Sequence, residues 1–201
     1  MTQRRKWTAI PGLLALAFGA VALSAYSGAA SSQNNQPVQP VNFPHPLHAA
    51  GNLQMNCLYC HNAANKSPDP GLPAMSTCMG CHLISSADKP EVQKLAKYYA
   101  GGQGKPVPWV RVHKLPEYVR FPHMRHVNAG VTCQTCHGPV QAMQQVYQFA
   151  SLNMGWCVNC HVNGYDPREG LRATGAVDTT TAVTPASERK RARYDCASCH
   201  Y

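Results

Sequence analysis

Apolar residues run unbroken by charge at one end of this 201-residue chain and fall into almost no regular period after it. From Trp7 through Ala30, in "WTAIPGLLALAFGAVALSAYSGAA", there is no charged residue, and Arg4, Arg5 and Lys6 stand just before it. Trp7 and Tyr26 are 19 positions apart, about 28 Å along a helix and close to the hydrocarbon thickness of a bilayer. Aromatic residues at both ends suit interfacial belts, and the cationic cluster belongs on the cytoplasmic side. Residues 1–30 are therefore expected to form a single uncleaved transmembrane anchor. A removed signal peptide, cleaved after Ser27-Gly28-Ala29-Ala30, is the alternative. Residues 31–42 read as a polar tether, kept extended by Pro37 and Pro40. Beyond it one stretch has a helical period. "DKPEVQKLAKYYAGG", Asp88 to Gly102, places Val92, Leu95 and Tyr99 on one face, after an acidic start and before a glycine stop. Asn163 to Asp195 is polar and predicts loop. The fold class expected is mostly irregular, with short α-helices.

Cysteine usage changes this picture most. All ten cysteines fall in C-x-x-C-H motifs: Cys57/Cys60/His61, Cys78/Cys81/His82, Cys133/Cys136/His137, Cys157/Cys160/His161 and Cys196/Cys199/His200. This is the signature for covalent attachment of haem c, with the histidine as proximal iron ligand. Zinc would want paired motifs giving four ligands, which an odd number of three-ligand units fits poorly. A thioredoxin-like site needs one copy and no histidine. A disulfide framework would not place His after every second cysteine. Five covalently attached haems are predicted, and they would supply much of the apolar core that the chain lacks.

The motifs fall into a repeat. "FPHPLH" precedes the first pair of motifs and "FPHMRH" the second. Phe43 to Phe121, Cys57 to Cys133 and Cys78 to Cys157 are offset by 78, 76 and 79 residues. A near-constant offset indicates a duplicated dihaem module, 43–100 and 101–162. Residues 163–201 then form a C-terminal segment with the fifth haem. Ten histidines are present: five proximal, and five more, His45, His48, His113, His123 and His126, which match the five distal positions by count. If every iron is bis-histidine, none is open to substrate, and electron transfer is favoured over catalysis. Histidines three apart project from one side of a helical turn, so each F-P-H-x-x-H pair should serve two irons. Methionine is the competing distal ligand, with Met75, Met124, Met143 and Met154 available.

The formal charge of +9 invites a nucleic-acid reading. Three of the cations lie in the leader, leaving 15 basic against 9 acidic residues. About ten haem propionates would offset much of that excess. No groove-reading motif accompanies the charge, so nucleic acid is not expected as a partner. The run "ERKRAR" before Cys196 reads as a solvated face, with a propionate clamp or a docking patch as alternatives.

F-x-H-x-x-H followed by C-x-x-C-H resembles the class III cytochromes of the c3 and c7 types. The anchor, the five motifs and "PVPWVRVHKLPEYVRFPHMRHVNAGVTCQTCHG" resemble the pentahaem cytochrome subunits of bacterial alternative complex III. That resemblance implies a multihaem cytochrome c built from c3/c7-like dihaem modules plus one N-terminal transmembrane helix. It implies a non-catalytic subunit of a quinol:electron-acceptor oxidoreductase on the periplasmic side of the bacterial cytoplasmic membrane. Its implied partners are an iron–sulfur protein, multi-span membrane subunits and a monohaem cytochrome. Quinol would bind in the membrane subunits. Two alternatives remain: a stand-alone quinol dehydrogenase, and a multihaem reductase with one open haem. All five motifs end in His, without the lysine substitution that often marks an open haem.

Overall fold

A computed structural model describes residues 12, 14, 16–19, 32–166, 185 and 188–201. The six N-terminal positions are helical. The rest of the predicted anchor lies outside the described residues, and among those described no helix is long and apolar enough to cross a membrane.

The described helices are short. In chain order they are α1 (His45–Ala49), α2 (Cys57–Cys60), α3 (Met75–His82), α4 (Pro90–Tyr99), α5 (His123–Asn128), α6 (Cys133–His137), α7 (Met154–Asn163) and α8 (Cys196–Cys199). Two 3₁₀ turns lie at Ala100–Gly102 and Val140–Ala142. No strand forms among the described residues; two isolated bridges join Val119 to His200 and Tyr165 to Lys190. Helices this short do not sustain themselves. Outside contacts must hold them.

The predicted helix forms as α4. Pro90 sits in its first turn, where a missing N–H breaks no intrahelical bond. Leu95 is buried on its inner face, and Tyr99 packs beside it. The stop is made by Ala100 itself, in the left-handed region at φ +44, with Gly101 and Gly102 following at positive φ. Leu95 joins Val41, Met79 of α3 and Val107 in one small core, covered by Met75, Cys78, Tyr98 and Trp109. Elsewhere large apolar side chains are exposed, including Leu47, Tyr59, Leu72, Leu83, Ile84 and Tyr201.

Residues 33–42 form no helix or strand, with a turn at Gln33–Asn34, and they are not loose. Asn34 N–H donates to the Gln148 carbonyl at 2.7 Å, and Gln148 N–H donates to that of Asn35 at 2.9 Å. Gln36 and Gln145 each donate to main chain across the same seam. Gln39 both donates to and accepts from the Val110 main chain, each at 2.9 Å. Asn42 N–H reaches Glu91 of α4 at 2.7 Å. Glutamine side chains carry both donor and acceptor, so a polar extended stretch can zip onto a loop without a sheet. Residues 33–201 belong to one unit.

Candidate haem sites

Each C-x-x-C-H is wound into a helical turn. That spacing puts both cysteines of a motif on one face. Asn56 caps α2 by accepting from Leu58 N–H at 2.9 Å, and Asn153 caps α7 by accepting from Trp156 N–H at 2.7 Å. Tyr165 supports α6, its hydroxyl accepting from Thr132 N–H at 3.0 Å. None of the ten cysteines is in a disulfide.

The thiols also show how the motifs are arranged. Cys57 and Cys133 are in hydrogen-bond contact, a contact that lowers Cys57 to about 6 and raises Cys133. Burial raises Cys60, and the neighbouring Cys57 and Cys81 raise it further. Burial pushes Cys136 up to about 12, with Cys160 and Cys157 adding to it. Cys157 is raised by burial and then by Cys199. In space the motifs therefore follow the order second, first, third, fourth, fifth.

Histidines outside the motifs face those within them. The His48 and His82 ring centroids are 6.0 Å apart, those of His126 and His161 6.1 Å, and those of His123 and His137 6.4 Å. Two imidazoles bound to opposite sides of one metal atom, with nitrogens about 2 Å from it, hold their centroids about 6 Å apart. In two of these pairs both rings are held from behind by main-chain carbonyls. His48 Nδ1 donates to Pro44 at 3.4 Å and His82 Nδ1 to Ser85 at 3.0 Å. His126 Nδ1 donates to Pro122 at 3.1 Å and His161 Nδ1 to Arg193 at 2.5 Å. A carbonyl only accepts, so Nδ1 carries the proton and Nε2 keeps its lone pair. Sequence reasoning missed these carbonyls, because a main-chain acceptor leaves no residue-type signal.

The two F-P-H-x-x-H segments repeat in three dimensions. Phe43 meets His45 edge-on at 4.9 Å and stacks on His48 at 4.4 Å. Phe121 meets His123 at 4.9 Å and stacks on His126 at 4.3 Å. In both, the phenylalanine lies between the two imidazoles and turns them apart. The two prolines around His45 do not disturb it: Pro44 precedes α1 in extended conformation and Pro46 occupies the first turn.

The remaining histidines gather around His137. His113 approaches it edge-on at 4.3 Å, too close for an iron between the rings. Burial lowers His45 and His113 to about 4, helped by His61 and His48 for the first and by His123 for the second. Burial takes His137 to about 3, with His113 and His123 adding to it. His45 Nδ1 and His113 Nε2 are buried without a hydrogen-bond partner. His45 lies near enough to His61 to feel its charge. His200 is different. Its ring neighbour is Tyr118, stacked at 5.8 Å, and no histidine contacts it. Both His113 and His123 stand at His137. Of the methionines, Met143 is buried, Met75 covers the small core, Met124 is half-buried and Met154 is 65% exposed.

These residues fit haem c. Two buried imidazole nitrogens lack partners, facing rings stand at a one-metal separation, thiols outside any disulfide lie in the adjoining motifs, and apolar side chains are left uncovered. Haem would meet each of these needs at once.

Comparison with known proteins agrees with that chemistry. The family model described as cytochrome c3 matches residues 125–201, which include three of the five motifs. The chain is also 26% identical, over 167 residues, to the multiheme cytochrome c subunit of menaquinone reductase from Nitratidesulfovibrio vulgaris strain Hildenborough. The alignment covers 83% of this chain and 69% of that protein.

Proposed function

We propose that this chain is a membrane-anchored pentahaem c-type cytochrome that relays electrons within a quinone-linked complex. It is placed on the extracytoplasmic side of a bacterial cytoplasmic membrane, held by residues 1–30. The observation that carries the reading is the set of three facing histidine pairs at 6.0–6.4 Å beside the cysteine motifs. An iron closed on both sides has no position for substrate, which suits electron transfer. Haem c supplies a one-electron couple whose potential its ligands and their surroundings set. The chain's own residues do the rest. The cysteine pairs tether, His61, His82, His137, His161 and His200 are the proximal ligands, and His45, His48, His113, His123 and His126 supply the distal side. The carbonyls of Pro44, Ser85, Pro122 and Arg193 fix ring planes, and Phe43 and Phe121 keep neighbouring imidazoles apart.

The relative that belongs to menaquinone reductase supports a quinone-linked setting. The resemblance to alternative complex III narrows the partners to an iron–sulfur protein, multi-span membrane subunits and a monohaem cytochrome, with quinol oxidised in those other subunits. Purification in mild detergent tests this. Co-isolation with an iron–sulfur subunit and multi-span proteins is the expected result, whereas an isolated quinol-oxidising protein would overturn it.

One observation favours a second reading, an open fifth haem. His200 faces Tyr118 and no histidine. Carbon monoxide separates the two. No binding to the reduced native protein is expected of the closed relay, and one equivalent bound at the fifth motif would establish the open site.

A further inference from the structure

The duplicated modules differ in how the histidine of their second motif is held. In the first module α3 ends at His82, and the next turn brings the Ser85 carbonyl back to its Nδ1. In the second, α7 continues past His161 to Asn163, so no such turn follows the histidine. The acceptor comes instead from Arg193, 32 residues on. Two more main-chain hydrogen bonds lay the same segment along the end of α7. Ala192 N–H donates to the His161 carbonyl and Tyr165 N–H to that of Lys190, both at 3.2 Å. Gly164, at φ +78, admits the segment closely: a Cβ there would lie 2.5 Å from the Arg189 Cβ.

We infer that residues 188–193 are a positioning strap for the fourth haem site, replacing with a distant carbonyl the local one that the first module has. The Arg193 carbonyl fixes the His161 tautomer and ring plane and makes the ring a stronger donor. A stronger donor favours the oxidised iron, so the strap lowers the potential at this site. Pro122 does the same for the facing His126. The segment carrying the fifth motif thus completes the second module. Its side chains are not the working part: Arg193 is 85% exposed and pairs with Asp195 at 3.1 Å. This rests on His161 being a haem ligand.

Spectroelectrochemical titration of the purified haem-loaded protein tests the strap, with haem on Cys157 and Cys160 verified by peptide mass mapping. Gly164→Ala displaces the segment, and Ala192→Pro removes one of its hydrogen bonds. Each is expected to move one component to more positive potential, leaving the others and the haem count unchanged. Selective loss of haem from Cys157 and Cys160 in both variants would equally support the strap. Adding His126→Met to Gly164→Ala marks the fourth site, and the marked component must be the one that moves. Arg193→Ala keeps the carbonyl and deletes a positive charge, so it should leave that component in place or shift it negative. Unmoved components in both strap variants, or a positive shift in Arg193→Ala, overturn the inference. Wild-type protein without haem on Cys157 and Cys160 would instead sink the reading beneath it.

Discussion

At the scale of single residues, the paired histidines depend on neighbours that hold them neutral and apart. Phe43 and Phe121 stack on His48 and His126 with nearly the same geometry. Replacing either by Ala should cost about 2 kcal/mol or more, on the pattern of large-to-small changes at packed sites. It should also broaden the spectroscopic signature of that module's haems; chemical denaturation and electron paramagnetic resonance measure the two effects. Acid gives a second expectation. His45, His113 and His137 have ordinary values near 6.5 that burial lowers to about 4, 4 and 3. Between pH 6.5 and those values the unfolded chain binds protons that the folded chain refuses, so stability falls as pH falls. Denaturation midpoints of the haem-free chain should be lower at pH 5 than at pH 7; equal midpoints would contradict it. Much of this was legible in the sequence, because the ligand types and their spacing are written in residue identity. His45 lies between two prolines. Pro46 is harmless because the first helical turn uses no N–H there. Carbonyl acceptors such as Ser85 and Arg193 were not legible, since every residue has one.

At the scale of elements, only α4 has an apolar period long enough to read, and it forms where the pattern puts it. Leu95→Ala should destabilise the small core by about 2–4 kcal/mol, measurable as a lower denaturant midpoint at unchanged haem content. The other described helices are four to ten residues long, and five of them coincide with the cysteine motifs rather than with any apolar period, which periodicity cannot show. The stretch 31–42 reads in sequence as polar and without helical period. Its docking is not legible there, because the partners at Val110 and at Gln145–Phe149 lie far along the chain and announce nothing in their own composition. Gln39→Ala removes a donor and an acceptor to Val110 and should cost about 1 kcal/mol. A drop in midpoint with the haem spectrum unchanged would confirm that the contact is structural.

At the scale of the whole molecule, thiol proximity puts the first motif beside the second and third, and the fourth beside the third and fifth. Cys196→Ser with Cys199→Ser should therefore remove one haem by intact mass and leave the other four loaded. Cys133→Ser with Cys136→Ser, in the middle, should disturb both modules. The repeat announced two modules, but not their arrangement, since chain order and spatial order differ. The glutamine-lined seam has a further consequence, and it concerns time. Gln33 and Gln36 meet partners 116 and 109 residues downstream. Contacts of such separation close late, because a long loop must be ordered before they repay it. While the chain is being made, the seam stays open until residues 145–149 have emerged. Throughout that interval the first three cysteine pairs, all upstream of those residues, stand on a chain whose seam has not yet closed.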